Sequence, residues 1–207
     1  QGAGGSRENV AEEMRHAYST RASEYIAALG SVEDMDALDI AFITDWGRNV
    51  VGPILDAGSG PGHWAGLLHS YGCDASGIDV VPEFVESARQ RFPLVAFQEA
   101  DIRAMPFEDS SFGGVLAWYS LIHMRPEVRG QAFNEFARVL RPRGSLLVGA
   151  FLGPQGIGFD HAVTEAFYWS EKGLVDDLES TGFQVISTHT RSTEDARPHL
   201  GVLARLD

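Results

Sequence analysis

Cysteine is almost missing from this chain: among 207 residues only Cys73 carries a thiol, so no internal disulfide can form and a reducing, cytoplasmic setting is expected. Basic residues are scarce too. Against 29 Asp and Glu stand 16 Lys and Arg, a formal charge of −13, and a field of that sign repels phosphate backbones and anionic lipid headgroups. Nucleic acid and membrane surfaces are therefore not expected partners. No uninterrupted apolar run approaches the roughly 18 to 20 residues of a bilayer-spanning helix. His63, His69, His161 and His189 show no ligand spacing such as His-x-x-x-His, and no catalytic metal is expected. The opening Gln1 to Ser6 lacks the apolar centre of a signal peptide, and residues 1–9 read as a flexible leader outside the fold.

What is present falls into two patterns that meet near residue 50. From Val10 to Leu29, apolar positions such as Met14, Tyr18, Tyr25 and Ile26 recur mostly at three- and four-residue steps, and one or two helical segments are expected, ended by Gly30-Ser31. A further helix is expected from about Glu33 to Trp46. Residues 10–50 thus read as a helical cap. Beyond Gly52-Pro53 the punctuation becomes strand, glycine turn, helix, repeated. Strands are expected at Pro53–Ala57, Asp74–Asp79, Leu94–Gln98, Gly113–Trp118 and Ser145–Phe151. Helices are expected at Trp64–Tyr71, Pro82–Arg91 and Pro126–Leu140, the last closed by a turn at Arg141-Pro142-Arg143-Gly144. Alternation of this length implies an α/β doubly wound sheet, and residues 51–207 read as one core. After the helix Ser170–Thr181, strands at Phe183–Thr190 and about His199–Arg205 leave too short a link for a helical crossover, so they are expected to pair as an antiparallel hairpin.

Asp56-Ala57-Gly58-Ser59-Gly60-Pro61-Gly62 runs off the first strand into a helix, where a nucleotide-like ligand meets a doubly wound sheet. The dinucleotide fingerprint wants a third glycine where this chain has His63, and Asp56 stands two residues before Gly58. A carboxylate there opposes a pyrophosphate and suits a ligand with a cationic amine, such as S-adenosylmethionine. Asp79 ends the second strand about 20 residues on, placed to accept from ribose hydroxyls, although a nicotinamide dinucleotide would use the same acid. Asp101, followed by Ile102, is placed either to accept from an adenine amine or to cap its own turn.

These residues, followed by Met105-Pro106-Phe107, Ser111-Phe112 and Leu140-Arg141-Pro142-Arg143-Gly144-Ser145-Leu146-Leu147, resemble in order the signatures of class I, Rossmann-like methyltransferases that use S-adenosylmethionine. The similarity is closest to the small-molecule group that includes the ubiquinone and menaquinone biosynthesis enzymes, and it covers about Tyr18 to Leu206. It implies a seven-stranded sheet, mostly parallel with an antiparallel last strand. It also implies S-adenosyl-L-methionine as cofactor, held by Tyr18, Tyr25, Asp56, Gly58, Ser59, Gly60, Asp79, Val80, Asp101, Ile102, Ala117 and Trp118. One departure stands out: Gly113 occupies a position where the family usually has an acid, which leaves the edge of the fourth strand less firmly held.

The acceptor is expected to be a small molecule that the residues do not identify, and the oligomeric state is equally open. Residues 152–169, rich in glycine and aromatics, form an insert expected on the substrate side. Trp118 and Tyr119 suit either a pocket wall or plain core. His123 is the first candidate for a general base and Tyr119 the second, while a hydrogen-bonded structural role explains His123 equally well. An inactive cofactor-binding regulatory or scaffold subunit is the alternative to an enzyme.

Overall fold

The computed structural model describes the backbone of residues 5–28, 35–161 and 164–207. Helix α1 covers Gly5–Ala28 and α2 Ala37–Asn49, so residues 5–9, expected in a leader, belong to a helix. The breaks read at Gly30-Ser31 and Glu33 lie outside the described residues. Helix α2 starts at Ala37 because the Asp36 carboxylate accepts from the Leu38 N–H at 2.8 Å, supplying the cap that the first turn lacks.

Strand β1 (Ile54–Ala57), α3 (His63–Ser70), β2 (Ala75–Asp79), α4 (Pro82–Arg91) and β3 (Ala96–Glu99) alternate as the pattern implies. Strand β4 (Phe112–Trp118), α5 (Pro126–Val139) and β5 (Leu140–Phe151) continue the alternation. A short pair, β6 (Gly158–Phe159) with β7 (Ala166–Phe167), precedes α6 (Glu171–Glu179), β8 (Phe183–Thr193) and β9 (Ala196–Leu206). The main sheet has seven strands in the order β3-β2-β1-β4-β5-β9-β8. Only β9, the last strand in the chain, runs against its neighbours β5 and β8. Every residue of β4 is buried, as expected of a two-sided apolar strand at the centre of a parallel sheet.

Helix α5 sets its apolar face, Ala132, Phe133, Phe136 and Val139, into the largest core cluster. Each such phenylalanine stabilises the fold by about 1.5–3 kcal/mol relative to an exposed one. Helix α1 meets the rest through Tyr18 and Ala22, which pack on Val81 and Phe84. Among the described residues, no helix is long and apolar enough to cross a membrane.

Two expectations change. The turn read at Arg141–Gly144 is the first part of β5, paired from Leu140 to Phe112, with the register shifting between Phe112 and Gly114. Gly113 makes that irregularity possible, since a Cβ there would lie 1.9 Å from the Val51 carbonyl oxygen. The edge is therefore held by backbone contact where an acid was missing. The terminal hairpin is also longer than the apolar pattern indicated, because its outer ends carry polar side chains that are bonded elsewhere, including Arg191 to Asp39 at 2.9 Å.

Candidate active site

Strands β1 and β4 are neighbours although β2 and β3 lie between them in sequence, and at such a reversal the strand ends open into a crevice. The loop leaving β1 lines it. Gly58 and Gly60 both have positive φ, +80° and +53°, a conformation that side chains with a Cβ rarely adopt. Gly58 also lies against the next loop, where a Cβ would fall 2.3 Å from the Ser120 Cβ. Nothing lies within 4 Å of a Cβ built at Gly60, so the backbone there faces open space.

Asp79 at the end of β2 ties this loop down. Its Oδ2 accepts from the Gly60 N–H and its Oδ1 from the Val81 N–H, both at 2.9 Å. Burial pushes its carboxyl up to about 6, against the downward pull of those backbone N–H groups. Asp56 stands behind the loop, 1% exposed, and burial with the charge of Asp79 raises it to about 8, the Ala65 N–H pulling the other way. Burial thus opposes a charge on Asp56 in the free fold, and the electrostatic case against a pyrophosphate that rested on it weakens.

The cavity wall includes Tyr18, Tyr25, Gly58, Gly60, Asp79, Val80, Asp101, Ile102, Trp118, Tyr119 and His123. Asp56, Ser59 and Ala117 are not on the wall; all are buried. Asp101 is engaged by its neighbour, its carboxylate accepting from Arg103 Nη2 at 2.7 Å and from the Arg103 backbone N–H at 2.9 Å. Burial raises its carboxyl, but these Arg103 bonds outweigh it and hold Asp101 below the usual range. Met14, Val81, Phe84, Ala100, Arg103, Ser120, Met124 and Val128 also line it, and sequence reasoning assigned none of them to the site. Met14 lies one turn before Tyr18 on the same helix face, a signal that was readable.

Tyrosine–histidine pairs close the far side. The Tyr18 hydroxyl is hydrogen-bonded to His123 Nε2, and His123 Nδ1 lies 2.8 Å from the Glu165 carbonyl. A carbonyl only accepts, so Nδ1 carries the proton and Tyr18 donates to Nε2. Burial lowers the His123 pKa to about 4, the Glu165 carbonyl opposing and His161 adding to the fall. Both ring nitrogens are occupied, and His123 would have to part from Tyr18 before taking a proton from a ligand. The Tyr119 hydroxyl is hydrogen-bonded to His199 Nδ1, and Tyr119 has φ +61°. For an aromatic residue that backbone costs about 1–3 kcal/mol. Behind these rings the insert contributes His161, 5.0 Å from the His123 ring, and Phe159 against Phe151, which packs on Tyr119.

Residues 54–144 match the family described as a methyltransferase domain. This region is therefore similar to a methyltransferase domain. A demethylmenaquinone methyltransferase of Beutenbergia cavernae is 33% identical over 107 residues, covering 52% of this chain and 44% of that protein. An O-methyltransferase, cnsE, of Penicillium expansum is 33% identical over 158 residues, covering 70% of this chain and 56% of that one. The chain spans about half the length of these relatives. A solved methyltransferase described as S-adenosylmethionine-dependent, from Methanosarcina mazei, superposes with a TM-score of 0.73 at 20% identity, over 84% of this chain and 98% of that one. At that identity the likeness is one of fold. Among the described residues, no group of His, Cys, Asp and Glu is arranged to hold a metal ion.

Proposed function

We propose that this chain is an S-adenosylmethionine-dependent methyltransferase acting on a small molecule. The observation that carries the reading is Asp79: a half-buried carboxylate on the cavity wall, pinned by the Gly60 and Val81 N–H groups beside a glycine loop open to the cavity. Each oxygen keeps lone pairs for a ribose hydroxyl. The donor set also fits the cofactor, because Ser59 Oγ, Ser120 Oγ and Asp56 Oδ2 are buried with no hydrogen-bond partner around the same loop. Of these only Ser120 lines the cavity, where its hydroxyl can meet an aminocarboxypropyl arm; Ser59 and Asp56 are buried off the wall.

When bound, S-adenosylmethionine supplies a methyl group on a cationic sulfur. The chain's contribution is to hold and to dry. Gly58 and Gly60 bring the backbone close, Asp79 and Val80 fix the ribose end, Asp101 and Ile102 flank the base, and Trp118 with Ala117 at its back walls the methionine arm. Tyr18 and Tyr25, stacked edge-on at 5.4 Å and packed on Phe84, cover the opening from α1. Alignment of an acceptor in a dry pocket supplies most of the acceleration, since charge disappears as the methyl moves. The aromatic insert behind Tyr119 and His123 supports a flat, largely apolar acceptor, as do the names of the demethylmenaquinone and O-methyltransferase relatives. The formal charge of −13 supports a small molecule over nucleic acid, and the solitary Cys73 supports a cytoplasmic setting.

Calorimetry with S-adenosylhomocysteine and NAD tests the reading. Binding of the first and not the second is expected; the reverse result overturns it.

A further inference from the structure

The structure offers two ways to take a proton from an acceptor, and what stands behind each histidine separates them. His123 is backed by the Glu165 carbonyl, a neutral group. His199, in the first half of β9, is backed by a carboxylate: its Nε2 lies 4.0 Å from Asp39 Oδ1, and Asp39, on α2, is ion-paired with Arg191 of β8 at 2.9 Å. Asp36 lies 3.7 Å from the same guanidinium, and His189 of β8 is the remaining titratable group that acts on the ring. Burial lowers the His199 pKa, with Arg191 and His189 adding to the fall, while Asp39 and Asp36 oppose it; the two carboxylates outweigh Arg191 by one negative charge, so a proton on His199 brings the cluster to neutrality. A proton on His123 meets no such balance.

We infer that Tyr119 is the group that takes the proton of a hydroxyl acceptor, with His199 and Asp39 as positioning residues that receive and hold that charge. The inference rests on the methyl-transfer reading above. At 4.0 Å the Asp39 carboxylate is beyond hydrogen-bond reach of Nε2 but favours the ring proton on that side, which leaves Nδ1 as a lone pair for the Tyr119 hydroxyl to donate into. Tyr119 lines the cavity, and its own oxygen keeps lone pairs to accept from a ligand. As the acceptor oxygen forms its bond to the methyl carbon, the carbon–sulfur bond breaks and its electron pair stays on sulfur. The acceptor's O–H proton passes to Tyr119 Oη while the Tyr119 proton passes to His199 Nδ1. Tyr119 ends as it began, His199 is an imidazolium beside Asp39, and the half-exposed Asp36 opens the route by which the proton leaves to water. The left-handed φ of Tyr119, at the end of an otherwise extended strand, holds the ring between the cavity and His199.

The test uses the full chain, S-adenosylhomocysteine, and 1,4-naphthohydroquinone under anaerobic conditions as the hydroxyl probe with labelled S-adenosylmethionine. Ring nitrogen NMR is expected to show His199 protonated at Nε2 only, and D39N is expected to lower the pH at which the ring takes its second proton. Y119F and H199Q are expected to lower kcat at pH 7 by about 10²- to 10⁴-fold, with KM and S-adenosylhomocysteine affinity within twofold, and to regain rate as pH approaches ionisation of the probe itself. D39N should lower kcat about tenfold with the same pH trend. A purely structural cluster would lower the melting temperature and the rate evenly at every pH, which overturns the inference. So does an Nδ1–H tautomer, or a His199 titration unmoved by D39N. If H199Q does not fold, Y119F and D39N decide the matter. Failure of the parent chain to bind S-adenosylhomocysteine sinks the methyl-transfer reading itself. Binding without transfer to the probe sinks only the inference.

Discussion

Asp79→Asn should move binding and stability in opposite directions, and the size of each follows from the environment of one carboxylate. Asp79 titrates near 6 in the fold against 3.8 for a free side chain, so keeping it ionised at pH 7 costs the free protein about 3 kcal/mol. The sign is that of a raised acid: the stability it contributes is complete below about 4 and is lost as pH rises through about 6. Asparagine removes this cost but keeps only one acceptor for the Gly60 and Val81 N–H groups, and an unpaired N–H gives back about 1–2 kcal/mol. The variant should therefore melt at the same temperature as the parent or a few degrees higher at pH 7, and lose that advantage at pH 4. Binding goes the other way. Loss of charge-assisted hydrogen bonds to ribose hydroxyls should weaken S-adenosylhomocysteine by about 1.5–3 kcal/mol, roughly 10- to 150-fold. In the parent, affinity should rise about tenfold from pH 5 to pH 7 as Asp79 ionises, and the variant should show no such rise. Paired melts and calorimetry at these pH values measure both effects. A variant that binds as tightly as the parent, or a parent affinity flat across that interval, would refute the assignment of Asp79 to the ribose.

Replacing Gly113 by Ala should destabilise the fold by about 2–3 kcal/mol or more, because the new methyl meets the Val51 carbonyl. Denaturant melts check it, and a silent substitution would show that the β4–β5 edge tolerates a side chain. Arg129, 2% exposed, lies over the Trp169 ring at 3.8 Å with none of its guanidinium nitrogens hydrogen-bonded; Arg129→Met should stabilise by about 1–2 kcal/mol. A lower melting temperature would mean that the cation is worth more than its desolvation costs. His123→Ala removes the link from Tyr18 to the Glu165 carbonyl, and should lower the melting temperature by about 4–10 °C and weaken S-adenosylhomocysteine binding. An unchanged melt and affinity, with turnover lost, would return His123 to the role of base.

The strand and helix order was readable because each element carries its own local signal. Strand β4 is apolar on both faces, α4 opens on Pro82, and Gly182 closes α6 with φ +95°. Boundaries went astray where the deciding partner is distant in sequence. Nothing near Leu140 marks it as paired, since its partner Phe112 is far along the chain and the close approach of Gly113 to Val51 makes the pairing possible. The outer ends of β8 and β9 carry too little apolar content to read as strand, and their order comes from bonds such as Arg191 to Asp39.

The same division runs through the site. Gly58, Gly60 and Asp79 sit at the ends of consecutive strands, where chain order and spatial order coincide, so their spacing alone brought them together. Asp56 belongs to the same motif, yet its depth behind the loop turns a nominal carboxylate into a group that holds its proton to about 8. Spacing carries no information on burial, and burial decides the charge. His199 and Asp39 lie farther still from any local pattern: one lies in the first half of the last strand, the other in the first turn of α2, and Tyr119 reaches them only because its backbone turns left-handed where β4 ends. Three elements from three parts of the chain must dock before that polar cluster exists. Its members are ordinary surface-type residues in sequence, and become chemically distinctive only through the 4.0 Å between an imidazole and a carboxylate that the sheet order brings about.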